Sequence, residues 1–172
     1  MNVYLQNDME FICDAVQLAD DFSPIIDMAL ALSIGRTDVT GVITNATNAS
    51  PIVVTSAAHG RTTGDQVVIT SVFGNVAANG AWTITVIDAN TFNLNGSVGS
   101  GAFLATGSGI WYLGVLGAVG LTMTYLASPP RYKTTLPGTV PLLLGSTYIR
   151  VIQASNYNFH LEDTFTPVTR KG

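Results

Sequence analysis

The clearest periodic signal lies in the middle of the chain. Trp82, Ile84 and Val86 alternate with Thr83, Thr85 and Ile87, the period of two expected of a strand buried on one side. Runs rich in β-branched or aromatic residues also fall at 52–55, 66–72 and 92–94. Between the runs lie His59-Gly60, Thr63-Gly64-Asp65, Gly74-Asn75, Asn79-Gly80 and Asp88-Ala89-Asn90, residue types that turn the chain. Four or five such strands predict a small closed or nearly closed barrel, because closure removes edges that would otherwise aggregate.

The flanks read differently. Near the start, Met9, Phe11 and Cys13 alternate with Glu10, Ile12 and Asp14, which predicts a strand. Ser23-Pro24 resembles an N-cap followed by a first-turn proline, and the apolar run 25–34 ends at Gly35, so the one short helix is expected near 24–34, with a strand pair as the competing reading. Tyr148, Arg150 and Ile152 alternate with Ile149, Val151 and Gln153; after a turn at 154–156, Tyr157, Phe159 and Leu161 alternate with Asn158, His160 and Glu162. That is a hairpin. Pro129-Pro130, Pro137-Gly138 and Pro141 predict an extended connection ahead of it, neither helix nor central strand, able to lie across a neighbouring subunit.

The expected fold is therefore mainly β. A small β-barrel module at residues 44–109 is inserted in a β-sandwich-like outer domain formed by 1–43 and 110–172. One cysteine, Cys13, excludes an intramolecular disulfide and a cysteine-based metal cage.

Charge changes the picture most. Charged residues make up 10% of the 172-residue chain, against roughly 25% in an average domain. Between Gln66 and Pro130 the only formal charge is Asp88. A surface so poor in charge expects protein neighbours or lipid. The candidate subunit interface is Trp111, Leu113, Val115, Leu116, Leu121, Met123, Tyr125, Leu142, Leu143 and Leu144. Residues 110–128 are uncharged and long enough to span a bilayer, but Gly114, Gly117 and Gly120 and the β-branched and aromatic content favour two strands joined at a bend. Acids gather in residues 1–40 and bases in 131–172, so the ends either neutralise each other within one chain or attract head to tail between copies. A net charge of -4 and the lack of a basic stripe argue against nucleic acid. Residues 1–10 have no basic region leading into an apolar run, so synthesis and retention in the cytoplasm are expected.

No catalytic motif emerges. Of the two histidines, His59 sits in a turn and His160 on the outward face of a strand. His160, Glu162 and Asp163 match no metal motif, and Asp8, Glu10, Asp14, Asp20 and Asp21 lack the spacing of a calcium loop. The glycine-rich turns at 60–64 and 96–101 lack the Lys-Ser or Lys-Thr of a phosphate loop, and no Gly-x-Ser-x-Gly elbow occurs. No cofactor is expected.

Residues 50–97 resemble a known module. Ser50-Pro51-Ile52, His59-Gly60, Gly64-Asp65 with Val67, Gly74-Asn75, Asn79-Gly80 with Trp82, and Ile87-Asp88-Ala89-Asn90-Thr91-Phe92 with Leu94 are similar to the small β-barrel named after the first catalytic cysteine half-domain insert of ubiquitin-activating enzymes. That module recurs as an accessory in tailed-phage structural proteins and carries no catalytic centre. The resemblance implies a non-enzymatic virion protein, a capsid decoration or cement subunit that contacts itself, as a trimer, and other virion proteins such as the major capsid protein. A tail, baseplate or head-to-tail connector component is the alternative. A reader of host glycans using Trp82, Trp111 and Tyr112 is a third reading, and a membrane anchor a fourth.

Overall fold

The computed structural model describes residues 9–14, 27–106, 109–155 and 160–167. Its strands are β1 (Met9–Asp14), β2 (Leu30–Ile43), β3 (Asn45–Ala46), β4 (Ile52–Thr55), β5 (Gln66–Thr70), β6 (Gly80–Asp88), β7 (Thr91–Leu94), β8 (Gly109–Gly114), β9 (Leu121–Thr122), β10 (Thr124–Ala127), β11 (Pro130–Leu136), β12 (Tyr148–Ala154) and β13 (His160–Phe165). The architecture is mainly β, built of curled antiparallel sheets that form a half-barrel. Among the described residues the only helical turn is a short 3-10 turn at Val76–Ala78.

One ten-stranded sheet runs β13-β12-β2-β8-β5-β6-β7-β4-β3, with β9 paired to β2, and a three-stranded sheet runs β1-β11-β10. The key element is β2. Its first half, Leu30 to Arg36, pairs with β12; beyond an irregularity between Arg36 and Thr40, residues 40–43 pair with β8. The chain then passes Thr44 into β3, which pairs with β4, and the Thr44 N–H donates to the Thr55 carbonyl at 2.9 Å. One stretch of backbone thus joins the first and last strands of the curled part.

Two buried clusters result. Ile43, Ala46, Ile52, Val54, Val67, Ile69, Ile84, Phe92, Leu94 and Trp111 fill the curled part. Phe11, Cys13, Leu30, Leu32, Ile34, Val115, Met123, Tyr132, Leu136, Leu142, Tyr148 and Ile152 lie between the small sheet and β2-β12. Each fully buried side chain of this size contributes about 1.5–3 kcal/mol. Val68, Ile149 and Val151, with Tyr112, form a third patch. It sits on the opposite sheet face, since these residues alternate with Val67, Ile69, Tyr148 and Ile152.

The strands expected in the middle of the chain and at Met9–Asp14 are present. Two expectations are corrected. The helix near 24–34 is strand from Leu30 onward, and residues 24–26 lie outside the described residues. Met28, Leu30, Leu32 and Ile34 are buried large residues that alternate with Ala29, Ala31, Ser33 and Gly35, a period of two in size rather than polarity. The proline-punctuated connection is also a strand. β11 is the central strand of the small sheet, paired with β1 and β10. Pro130 occupies its first position, where the missing N–H costs no ladder bond, and Pro137 falls just past its end. This segment folds onto its own chain.

The C-terminal hairpin pairs Gln153 with His160 and Tyr148 with Phe165, so its second strand runs further than the alternation suggests. Positions 157–159 of that expected strand lie outside the described residues. Residues 110–128 hold β8, a bend, β9 and β10. Among the described residues no helix is long and apolar enough to cross a membrane.

Candidate assembly surface

The titratable groups serve the fold. His59 Nδ1 accepts from the Arg61 N–H at 2.9 Å, so Nε2 carries the proton and donates to the Asp88 carbonyl at 2.9 Å. The ring stands edge-on to Phe92. The Asp88 carboxyl accepts from the Asn90 N–H at 2.8 Å, and that bond is the chief cause holding it below the ordinary aspartate range. Both residues pin a turn. Among the described residues no group of three His, Cys, Asp or Glu side chains could hold a metal. Of the acids that might have suggested calcium, Asp8, Asp20 and Asp21 lie outside the described residues, and Glu10 is paired with Lys133.

That pair decides how the sorted charges are used at these positions. Glu10 meets Lys133 across β1 and β11, and Arg150 meets Asp163 across β12 and β13, its Nε 2.7 Å from Oδ1. These charges are neutralised within one chain.

The ten candidate interface residues separate by depth. Trp111 belongs to the barrel cluster, and Val115, Met123 and Leu142 to the other. Trp111, Met123 and Leu142 are buried in their own chain, and Val115, 4% exposed, reaches the surface only as part of a groove wall. Leu121 and Tyr125 pack partly against the second cluster, and Leu144 is half-buried. Leu113, Leu116 and Leu143 are brought together. With Arg36, Val115, Pro141 and Tyr148 they line a groove of about 260 Å³, and Leu116 stands at its rim with 78% of its surface exposed. Arg36 adds little net charge, because its Nε and Nη2 donate to the two Asp38 carboxylate oxygens at 3.0 and 2.8 Å. The same bonds are the main reason the Asp38 carboxyl is held below its usual range.

A second apolar surface escaped the sequence reading. Phe73, Val76 and Leu104 are 51%, 59% and 52% exposed on two loops that Asn75 ties together. Its side-chain N–H groups donate to the Ala46 and Thr47 carbonyls at 3.3 and 2.9 Å, and its Oδ1 accepts from the Ser100 N–H at 2.9 Å. The Leu104 N–H donates to the Phe73 carbonyl at 3.0 Å, and a Cβ on Gly74 would collide with the Ala102 carbonyl at 2.0 Å. Exposed apolar side chains on loops this tightly tied are presented in a fixed arrangement. The available signal was Phe73 and Val76 flanking Gly74-Asn75, apolar residues at a turn where polar ones are usual.

No protein-family model and no curated protein matches the sequence.

Proposed function

We infer that the chain is a non-enzymatic structural subunit of a phage particle, a decoration or cement protein of the capsid that works through contacts with copies of itself and with the major capsid protein. The observation that carries the assembly reading is the exposure of Leu116, Phe73, Val76 and Leu104 inside a stretch, 66–130, whose only formal charge is Asp88. Isolated exposed apolar residues are ordinary, but several of them on rigid, uncharged loops favour a protein neighbour over water. The phage setting rests on the resemblance of residues 50–97 to the accessory barrel of tailed-phage proteins.

Copy number tests the reading. In purified particles a cement protein is present in hundreds of copies and a connector or baseplate ring component in about a dozen, following closed symmetry. Gel densitometry against the major capsid protein distinguishes them. Absence from the particle overturns both.

A further inference from the structure

Where β2 and β12 meet the wall of the curled part, the sheet leaves an open cleft of about 620 Å³, within the roughly 300–1,000 Å³ range of small-molecule sites. Its floor follows from the size alternation of β2: Ala29, Ala31 and Ser33 face the cleft while Leu30, Leu32 and Ile34 are committed to the core. Further along the same face the room is taken up, since a Cβ on Gly35 would lie 2.7 Å from that of Tyr112. The cleft therefore exists because β2 carries small residues at its beginning.

The opposite wall is Trp82. Its indole N–H donates to the Ala78 carbonyl at 2.9 Å, which fixes the ring while leaving it half-exposed. Gln153 lies beside it, and its side-chain amide has no hydrogen-bond partner among the described residues, leaving a donor and an acceptor available. Gly80, at φ +129°, leaves the space beside them open: a Cβ there would stand 3.1 Å from Gln153 Oε1 and 3.7 Å from Trp82 Nε1. Ser33 Oγ accepts from the Gly120 N–H at 3.0 Å, so its own proton is free to point elsewhere. Thr122 and Ser155 add hydroxyls. The Asn79 amide is different, with both ends bonded to the Val72 backbone at 2.8 and 2.9 Å; it is wall.

Among the described residues, none that lines this cleft is charged. A phosphate, carboxylate or cation would be desolvated there without a counter-charge. A fixed aromatic plate, an unpaired amide and several hydroxyls instead suit a ligand with apolar C–H faces and many uncharged hydroxyls. We propose that the cleft binds a neutral saccharide, with Trp82 stacking on a sugar ring and Gln153 hydrogen-bonding its hydroxyls. This site does not depend on the assembly reading. It also excludes the other aromatics considered from sequence, because Trp111 is buried with its N–H on Ser56 Oγ and Tyr112 packs against Val68, Ile149 and Val151.

The test uses the full chain and three neutral trisaccharides, maltotriose, cellotriose and tri-N-acetylchitotriose, followed by two-dimensional nitrogen–proton NMR up to about 10 mM, enough to see millimolar affinity. The expected result is saturable movement of the Trp82 indole signal by at least one sugar, with the buried Trp111 indole as internal control. Trp82→Ala should weaken binding about tenfold or more, and Gln153→Ala several-fold. Ala31→Leu, which fills the floor, should abolish it with the NMR fingerprint otherwise intact. Three results overturn the proposal: no saturable shift with any of the three sugars, binding that survives Ala31→Leu, or tighter binding of the anionic 3′-sialyllactose than of every neutral sugar.

Discussion

Gly41 lies opposite Trp111 on the β2–β8 ladder, and a Cβ at position 41 would stand 2.6 Å from the indole Nε1 and 2.7 Å from Cε2 and Cζ2. The indole cannot easily yield. Its N–H donates to Ser56 Oγ at 2.8 Å, and its ring is enclosed in the barrel cluster. Gly41→Ala should therefore destabilise the chain by about 2–3 kcal/mol through overpacking. Trp111→Phe should also cost stability, by leaving Ser56 without its donor. The double variant should lose less than the sum, because the smaller ring makes room for the methyl group. Urea unfolding of the four proteins measures the coupling.

Leu116 and Phe73 contribute little to their own chain and should matter to its neighbours. Leu116→Asp and Phe73→Asp are expected to change folding stability by no more than about 0.5 kcal/mol while weakening self-association at least tenfold. Analytical ultracentrifugation checks this. The Glu10–Lys133 and Arg150–Asp163 pairs are satisfied internally, so association of the parent chain should persist at about 0.5 M sodium chloride, where exposed charges are screened. Loss of association at that salt would favour head-to-tail charge attraction.

Asn75→Ala should destabilise by about 2–3 kcal/mol, since it strands the Ala46 and Thr47 carbonyls and the Ser100 N–H without their partner. The variant should also release the loops that carry Phe73, Val76 and Leu104. Amide hydrogen exchange is expected to quicken at 71–79 and 98–106 before it does so in β5 or β6.

Alkaline pH should weaken the fold. Burial is the first cause raising the phenols of Tyr112 and Tyr132 above the ordinary tyrosine value of 10.0. In the unfolded chain they ionise at that value. From about pH 10 upward the unfolded state therefore loses protons that the folded state retains, and stability falls as pH rises through the folded-state values; below pH 10 the contribution is complete. Tyr132→Phe should flatten part of this decline. It should also cost about 1–2 kcal/mol at neutral pH, because the Tyr132 hydroxyl accepts from the buried Met28 N–H at 2.9 Å. Thermal melts between pH 8 and pH 11 give both numbers.

How far the sequence could be read depended on whether a strand had one wet face. β6 was visible because Thr83 and Thr85 alternate with Ile84 and Val86. The start of β2 was not, because neither of its faces carries charge and the alternation is one of volume, Leu30 and Leu32 against Ala31 and Ser33, which resembles a compact apolar helix. β11 was masked by the prolines at its boundaries, although its interior, Arg131 to Leu136, contains none. The groove at Leu116 needed more than local pattern. Leu113, Leu116 and Leu143 meet only once β8 has paired with β2 and β2 with β12, and such long-range pairing leaves no mark on any one segment. Trp111 and Met123 show the converse: an uncharged segment reads as surface for a neighbour, while these two side chains fill the core of their own chain.

The continuity of β2 has one further consequence. Its two halves are a single covalent strand, one half edging the Leu32 cluster and the other the Trp111 cluster. Melting either cluster strips ladder bonds from the shared strand and so lowers the barrier to losing the other. Heating should therefore give one cooperative transition, with Trp111 fluorescence and the near-ultraviolet dichroism of Tyr132 and Tyr148 changing at the same temperature. Two separated midpoints would mean that the bend between Arg36 and Thr40 works as a hinge between independent folding units.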